Sequence, residues 1–287
     1  MSCLKLVIVQ FPRDRANLEQ NISQMHGFLG KIDGDADVVL LPEDWLGAVV
    51  VDWGEYREIV FELYRKAFLS RNRAGQGAPK GGQVVDGSAP GPLLVSGAQY
   101  VKAEGGIFSR GMIVGGELPA PVFYEKHFPS RAIGERNHVR PGSALPLIRH
   151  RDIPLGAVVC VDIMYPEIVR NLALRGALII LNTANIPAAR MSLWKSVGLT
   201  RACENTVFVA MANNTATSYP DGREVLGESF VAYPDGYDLL SCGREPGIYS
   251  FELDLSRVER VRRRWPYLED IRSKRESICP KYYGGEQ

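Results

Sequence analysis

Three short stretches, far apart in the chain, each place a reactive group at the end of an apolar, strand-like run. They are Leu40-Leu41-Pro42-Glu43, Tyr124-Glu125-Lys126-His127 and Val158-Val159-Cys160-Val161-Asp162. A carboxylate, an ammonium and a thiol held on rigid strand ends are the parts that covalent hydrolysis by a thiol requires. The thiol attacks, a base takes its proton, and a fixed positive charge receives the oxyanion.

Cys160 follows the run Gly156-Ala157-Val158-Val159 and precedes a short link into a helix starting at Pro166. A nucleophile at such a turn has backbone N–H groups close by. A free thiol has a pKa of about 8.5, so it needs a base or a nearby cation to act near neutrality. Glu43 is one candidate base, and pairing with His127 or His138 is another. If the strand through Lys126 continues, His127 points to its opposite face, which favours the carboxylate. Glu135, nine residues after Lys126 in a charged stretch from Ser130 to Ser143, belongs either beside that lysine or in a salt bridge with Arg131 or Arg136. The other cysteines, Cys3, Cys203, Cys242 and Cys279, show no CxxC or Cys/His metal spacing.

Alternating strand-like and helix-like segments must position these groups, which indicates an α/β layered fold. Strands are expected at Leu4–Val9, Val38–Leu41, Leu93–Val101, Ile107–Gly115, Val122–Glu125, Leu155–Val159, Ala177–Leu181 and Val207–Ala212. Two more are expected around Phe230 and from Ile248 to Leu253. Asn17–Leu29, Glu55–Phe68, Pro166–Arg175, Met191–Thr206 and a closing segment from Leu255 read as helices. In the second of these, Ile59, Leu63 and Ala67 recur every four residues. The stretch from Arg73 to Pro92, rich in Gly and Pro, reads as a long mobile loop.

At 287 residues the chain suits one α/β domain, 1–287, with a C-terminal extension from about 267 to 287. A formal charge of +1 offers no electrostatic case for nucleic acid or an anionic membrane. The arginines Arg257, Arg260, Arg262, Arg263 and Arg264 alternate with acidic and apolar residues and read as a solvated helix face. Five cysteines without a pairing pattern suit a reducing compartment. No apolar run has the length of a membrane span or the form of a signal peptide, so the expected location is the cytoplasm.

Taken together the motifs resemble the nitrilase superfamily, carbon–nitrogen hydrolases with a Glu-Lys-Cys triad. The resemblance runs from Leu4 to about Ile271. After the motifs above it continues through Tyr165-Pro166-Glu167, Leu172-Ala173, Gly176-Ala177, Asn182-Thr183-Ala184-Asn185, Arg201-Ala202-Cys203-Glu204-Asn205, Asn213-Asn214, Gly227-Glu228-Ser229 and Pro234-Asp235-Gly236. It implies a four-layer α-β-β-α sandwich with the site at the ends of the central strands. It further implies Glu43 as general base, Cys160 as nucleophile, and Lys126 with the backbone N–H of Val161 as oxyanion ligands. Glu135 is the supporting second glutamate, and no metal or organic cofactor is implied. Tyr165, Asn185 and Arg131 are the expected substrate-binding residues; the guanidinium of Arg131, Arg136 or Arg140 offers a fork for a carboxylate. The expected partner is a small-molecule amide or carbamoyl compound, and homodimers or higher homo-oligomers are common among such proteins. Two features depart from the usual pattern: Val161 replaces an aromatic residue after the nucleophile, and Ser109-Arg110 stands where an asparagine is common. Nitrile hydrolysis by the same triad, and a non-catalytic binding relative of the family, are the alternatives.

Overall fold

A computed structural model of the chain describes residues 3–70 and 91–278. The first strands in chain order are β1 (Cys3–Pro12), β2 (Val38–Leu40), β3 (Val51–Asp52), β4 (Leu93–Ala103), β5 (Gly106–Gly115) and β6 (Val122–Glu125). They are followed by β7 (Leu147–His150), β8 (Ile153–Val159), β9 (Ile179–Thr183), β10 (Phe208–Ala212), β11 (Asn214–Thr215), β12 (Thr217–Ser218), β13 (Glu224–Val225), β14 (Phe230–Ala232), β15 (Leu239–Ser241) and β16 (Gly247–Asp254). The helices are α1 (Leu18–Leu29), α2 (Trp53–Tyr64), α3 (Pro166–Leu174), α4 (Met191–Asn205), α5 (Ser256–Arg264) and α6 (Tyr267–Ile278).

Two sheets form. One runs β11-β1-β2-β4-β5-β6, with β16 on β1 and β3 on β4; the other runs β15-β14-β10-β9-β8-β7. The period of two along each strand decides the layering. In β1, Leu4, Leu6 and Ile8 share one core with Leu155, Ala157, Ile179 and Leu181 of the second sheet. Val7, Val9 and Phe11 point the other way and pack with Met25 and Leu29 of α1 and Tyr56, Val60 and Leu63 of α2. On the far side of the second sheet, Val169, Leu172 and Ala173 of α3 and Trp194 and Ala202 of α4 join the central core. The result is the expected α-β-β-α sandwich.

The central strands β8, β9 and β10 are parallel and buried along their whole length, which is why they read as unbroken apolar runs. Pro166 opens α3 as expected, while Asn17 caps α1 by accepting from the N–H of Gln20 and Asp52 caps α2 through Gly54, starting that helix at Trp53 rather than Glu55.

Several boundaries differ from the sequence reading. The strand expected at 177–181 begins at Ile179, because the N–H groups of Gly176 and Ala177 close the end of α3 on Ala173 and Leu172. The helix expected to reach Phe68 is α-helical to Tyr64 and finishes as a π turn over Arg65–Leu69. The edge strands β7 and β15 are too short for their pattern to register in the sequence. The arginine run of α5 is not simply solvated. Arg257 clasps Asp235 and Asp238, and Arg262 is part-buried, donating to the Ala177 carbonyl and the Thr206 hydroxyl. The loop expected at 73–92 lies outside the described residues except for its last two positions. Among the described residues no helix is long and apolar enough to cross a membrane.

One irregularity matters for the site. The β4–β5 register shifts between Val95 and Ala98, and Gly97 at this bulge has φ +77°. A Cβ on Gly97 would lie 2.1 Å from the carbonyl oxygen of Pro42, the residue before Glu43. Gly97→Ala should therefore destabilise the fold by about 2 kcal/mol or more, from strain and the clash together. The urea midpoint reads the loss, and an unchanged midpoint would show that the Pro42 turn yields freely.

Candidate active site

Four chain ends converge where the two sheets meet. Glu43 leaves β2 after Pro42, and its backbone is held from both sheets. Its N–H donates to the Ala184 carbonyl at 3.2 Å, and its carbonyl accepts from Asn214 Nδ2 at 2.8 Å. Lys126 directly follows β6; its N–H donates to the Ser109 carbonyl and its own carbonyl accepts from Gly142. Cys160 follows β8, and Glu135 sits in a one-turn 3-10 helix.

The side chains meet in a buried cluster. Lys126, 1% exposed, places its Nζ 2.9 Å from Glu43 Oε1 and 2.7 Å from Glu135 Oε1. Glu135 is fixed in turn by the Tyr100 hydroxyl at 2.7 Å and by the Ser130 N–H. The expected alternative for Glu135, a salt bridge to Arg131 or Arg136, is not formed; the Arg136 side chain donates to the Pro129 carbonyl instead. Cys160 neighbours Glu43 closely enough for each to shift the other's proton affinity. The His127 ring lies against the carbonyl of its neighbour Glu125, at 3.1 Å from Nδ1, while the charges facing Cys160 are those of Glu43, Lys126 and Glu135.

Cys160 has φ +50°, a left-handed conformation rare for a residue with a side chain. Such a conformation costs about 1–3 kcal/mol and persists only where the surroundings impose it. Here β8 ends at Val159 and a tight 3-10 turn, Cys160–Met164, begins at once. The turn aims the thiol at Glu43 and leaves the Val161 N–H in a first helical turn, where no carbonyl of the helix can accept it. Asp162 locks this turn to the lysine segment: its two carboxylate oxygens accept the N–H groups of His127 and Phe128, each at 3.0 Å. Burial nevertheless pushes Asp162 up to about 6.

The electrostatics follow from burial around a single cation. Burial raises the Glu43 carboxyl above its ordinary range, although Lys126 pulls it down. The Cys160 thiol is raised well above its usual value by burial and then by the Glu43 charge. Burial alone would lower Lys126, but Glu43, Cys160 and Glu135 outweigh it and hold the amine firmly protonated. Two carboxylates, one ammonium and one thiol therefore retain a proton that Glu43 and Cys160 can exchange.

A cavity of about 470 Å³ reaches this cluster at Glu43 and Glu135, with Asn185, Arg13, Arg15 and Tyr219 among its other lining residues. Asn185 is one of the expected substrate residues; its side-chain oxygen accepts from Asn214, and its backbone lies near enough to Cys160 to lower the thiol's pKa slightly. Tyr165 stands apart from this cavity, stacked on Phe128 with ring centroids 3.8 Å apart. Arg131 is exposed and is not among the lining residues, although its neighbours Ala132 and Ile133 are. Sequence reasoning missed Arg13, Asp44, Tyr100 and Tyr219. Arg13 and Asp44 form a buried ion pair beside Glu43, and burial pushes Asp44 up to about 7 despite the arginine. Only the position of Asp44 next to Glu43 hinted at any of them. Among the described residues no group of three or more His, Cys, Asp or Glu is placed to hold a metal ion.

Residues 110–263 match the family described as Carbon-nitrogen hydrolase. The chain is 29% identical over 274 residues to a 2-oxoglutaramate amidase of Bacillus subtilis, covering 95% of this chain and 97% of that one. A carbon–nitrogen hydrolase superfamily protein of Xanthomonas campestris, solved with an arsenic adduct in its active site, superposes with a TM-score of 0.78 at 20% identity, covering 94% of this chain and 97% of the other. A Glu-to-Gln mutant of an amidase from Nesterenkonia, solved with the acetamide moiety of fluoroacetamide on its active-site cysteine, gives a TM-score of 0.71 at 21% identity, covering 94% of each chain.

The buried cluster makes a stability prediction. Lys126→Met leaves two buried carboxylates without their cation, at a cost of about 3–5 kcal/mol. Without Lys126 the Glu43 carboxyl moves further above its ordinary value of 4.5, since the ammonium was what lowered it. A carboxyl with a raised folded pKa supports the fold fully below its unfolded pKa and loses that support as pH rises through the folded value. The gap in urea midpoint between wild type and variant should therefore be narrow near about pH 5 and wide near about pH 8. A gap that does not change with pH would show that the carboxylates do not carry the cost.

Proposed function

Because the chain belongs to the carbon–nitrogen hydrolase family, in the amidase-like branch of the nitrilase superfamily, we propose that Glu43, Lys126 and Cys160 hydrolyse a small linear amide through a thioester on Cys160. The observation that carries the reading is the Cys160 thiol in a strained turn facing the charges of Glu43 and Lys126, with the Lys126 ammonium held between Glu43 and Glu135.

The steps follow from the geometry. The Cys160 sulfur bonds to the amide carbon as its proton passes to Glu43, and the carbonyl electrons move onto oxygen. Lys126 Nζ and the Val161 N–H receive that oxyanion without reorganising, since both are already fixed. The tetrahedral species collapses by breaking the carbon–nitrogen bond, and Glu43 returns the proton to the departing nitrogen. Ammonia or an amine leaves and a thioester remains. Water then attacks the thioester, giving its proton to Glu43; the carbon–sulfur bond breaks, the acid is released and the proton returns to sulfur. One carboxylate thus serves as base twice and acid twice, which its raised pKa suits.

Substrate size is bounded by the cavity, whose 470 Å³ lies near the lower end of small-molecule sites. Val161 in place of an aromatic residue leaves the wall beside the thiol smaller. The Bacillus relative is named for a small amide, which supports the same substrate class here.

Exchanging the base for its amide separates chemistry from nucleophile assembly. Glu43→Gln should lower kcat for amide hydrolysis by about 10²- to 10⁴-fold. Cys160 should still be alkylated by fluoroacetamide in that variant, because removing the Glu43 charge takes away a force that disfavours the thiolate while Lys126 stays. Cys160→Ala should abolish both. Ammonia release and mass mapping of the adduct measure the two effects, and near wild-type turnover by Glu43→Gln would sink the proposed role of the glutamate.

A further inference from the structure

The strand that leads to Glu43 is short, Val38–Leu40, and the glutamate lies beyond its end. A regular ladder therefore does not hold this residue, yet its carboxylate sits 2.9 Å from Lys126 Nζ. What steadies it lies one residue on. Asp44 is buried and has φ +58°, a left-handed conformation that Asp and Asn adopt more readily than other residues with a side chain.

Asp44 is gripped from the strand on either side of β2, β4 and β1. From β4, just past the bulge at Gly97, the Ala98 carbonyl accepts the Asp44 N–H at 2.6 Å, and Gln99 Nε2 donates to Asp44 Oδ1 at 3.0 Å. From the end of β1, Arg13 Nη1 donates to Asp44 Oδ2 and, at 3.2 Å, to the Asp44 carbonyl. The N–H, the carbonyl and both carboxylate oxygens of Asp44 are all engaged. The same stretch of β4 holds the residues around it: the Leu41 N–H donates to the Val95 carbonyl, and Trp45 Nε1 to that of Ser96.

Stability alone is a poor account of this pair. Arg13 and Asp44 are both nearly inaccessible, and Arg13 Nε is buried with no partner among the described residues. A buried ion pair of this kind seldom supports a fold better than apolar residues of the same size. Its place decides what it does. The peptide that joins Glu43 to Asp44 is held at both its polar atoms, the Glu43 carbonyl by Asn214 and the Asp44 N–H by Ala98. Fixing that plane fixes the direction in which the Glu43 side chain leaves the turn. We infer that Asp44, with Arg13, is a positioning residue for the base: it holds the turn so that the Glu43 carboxylate stays against Lys126 and within reach of Cys160. This rests on the amidase reading above and deepens it.

Two substitutions separate the grip from the backbone strain. Glycine accepts the left-handed conformation but has no carboxylate; asparagine accepts it and keeps one acceptor oxygen. With propionamide and butyramide as substrates, Asp44→Gly should lower kcat by about 10- to 100-fold and leave KM within about threefold, as a misplaced base does. Asp44→Asn should recover most of that loss. Alkylation of Cys160 by fluoroacetamide should persist in Asp44→Gly, the pattern expected of Glu43→Gln. Added to Glu43→Gln, Asp44→Gly should cost less than about threefold more, because the group it aims is already gone. Wild-type kcat in Asp44→Gly would overturn the inference. So would a full further loss in the double variant, or an equal loss of alkylation and turnover, which general damage to the fold predicts. Where Asp44→Gly does not fold, Arg13→Gln reads the same grip from its other side, with the same expected and overturning results. If wild type releases no ammonia from any small linear amide tested, the amidase reading falls and the inference falls with it. Turnover by wild type that both variants leave unchanged overturns the role of Asp44 alone.

Discussion

The arrangement depends on one buried ammonium. A lysine with almost no exposure is tolerated only where opposite charge compensates its lost hydration, and Lys126 has Glu43 on one side and Glu135 on the other. Neither carboxylate could be buried there without it. The same enforced pairing has a chemical result. The paired carboxylates hold the lysine protonated, so it is a fixed cation, and under the proposed mechanism the proton that moves is shared by Glu43 and the thiol.

That ammonium can exist only because the two sheets close over it. Glu43 and Lys126 come from the ends of β2 and β6 in one sheet, Cys160 from the end of β8 in the other. The joints between sheets are short and polar: Glu43 N–H to Ala184, and Asp162 to the backbone of His127 and Phe128. Each uses a backbone group that its own strand no longer satisfies, since the strand has just ended. The apolar core between the sheets sets their spacing, and these joints set the registration of the strand ends to within a hydrogen-bond length. Packing alone tolerates small slips, so the polar joints are what make the site one geometry.

The legible part of this design was the part written locally. Glu43, Lys126 and Cys160 stood out because each follows an apolar run, and strand ends are where buried chain first meets a cavity. The alternation of strands and helices was legible for the same reason, since periods of two and 3.6 are local properties, whereas the four-layer stacking came only from the family resemblance. Tyr100, Tyr219, Arg13 and Arg15 carry no such mark. Tyr100 lies inside a strand whose sequence reads as ordinary sheet, and Arg13 and Arg15 sit in a short polar link that could have been any surface turn. Their places are set by partners far away in sequence, such as Glu135, Asn185 and Asp44. The left-handed turn at Cys160 was equally silent, because no glycine announces it. Arg131 illustrates the converse error: a dense local run of charge drew attention, yet the exposed side chain is not part of the cavity wall.

The charge pattern of the cavity adds a direction to the chemistry. At the cluster two carboxylates share one ammonium, so the net field there repels anions and leaves a neutral carbonyl as the group most easily admitted. Beside it, Arg13 is already neutralised by Asp44, and that pair contributes shape more than field. Under the proposed mechanism orientation is part of catalysis, because the thiol attacks a carbonyl whose oxygen faces Lys126 and Val161. The two carboxylates that hold the lysine protonated therefore also favour the neutral group that the thiol has to meet.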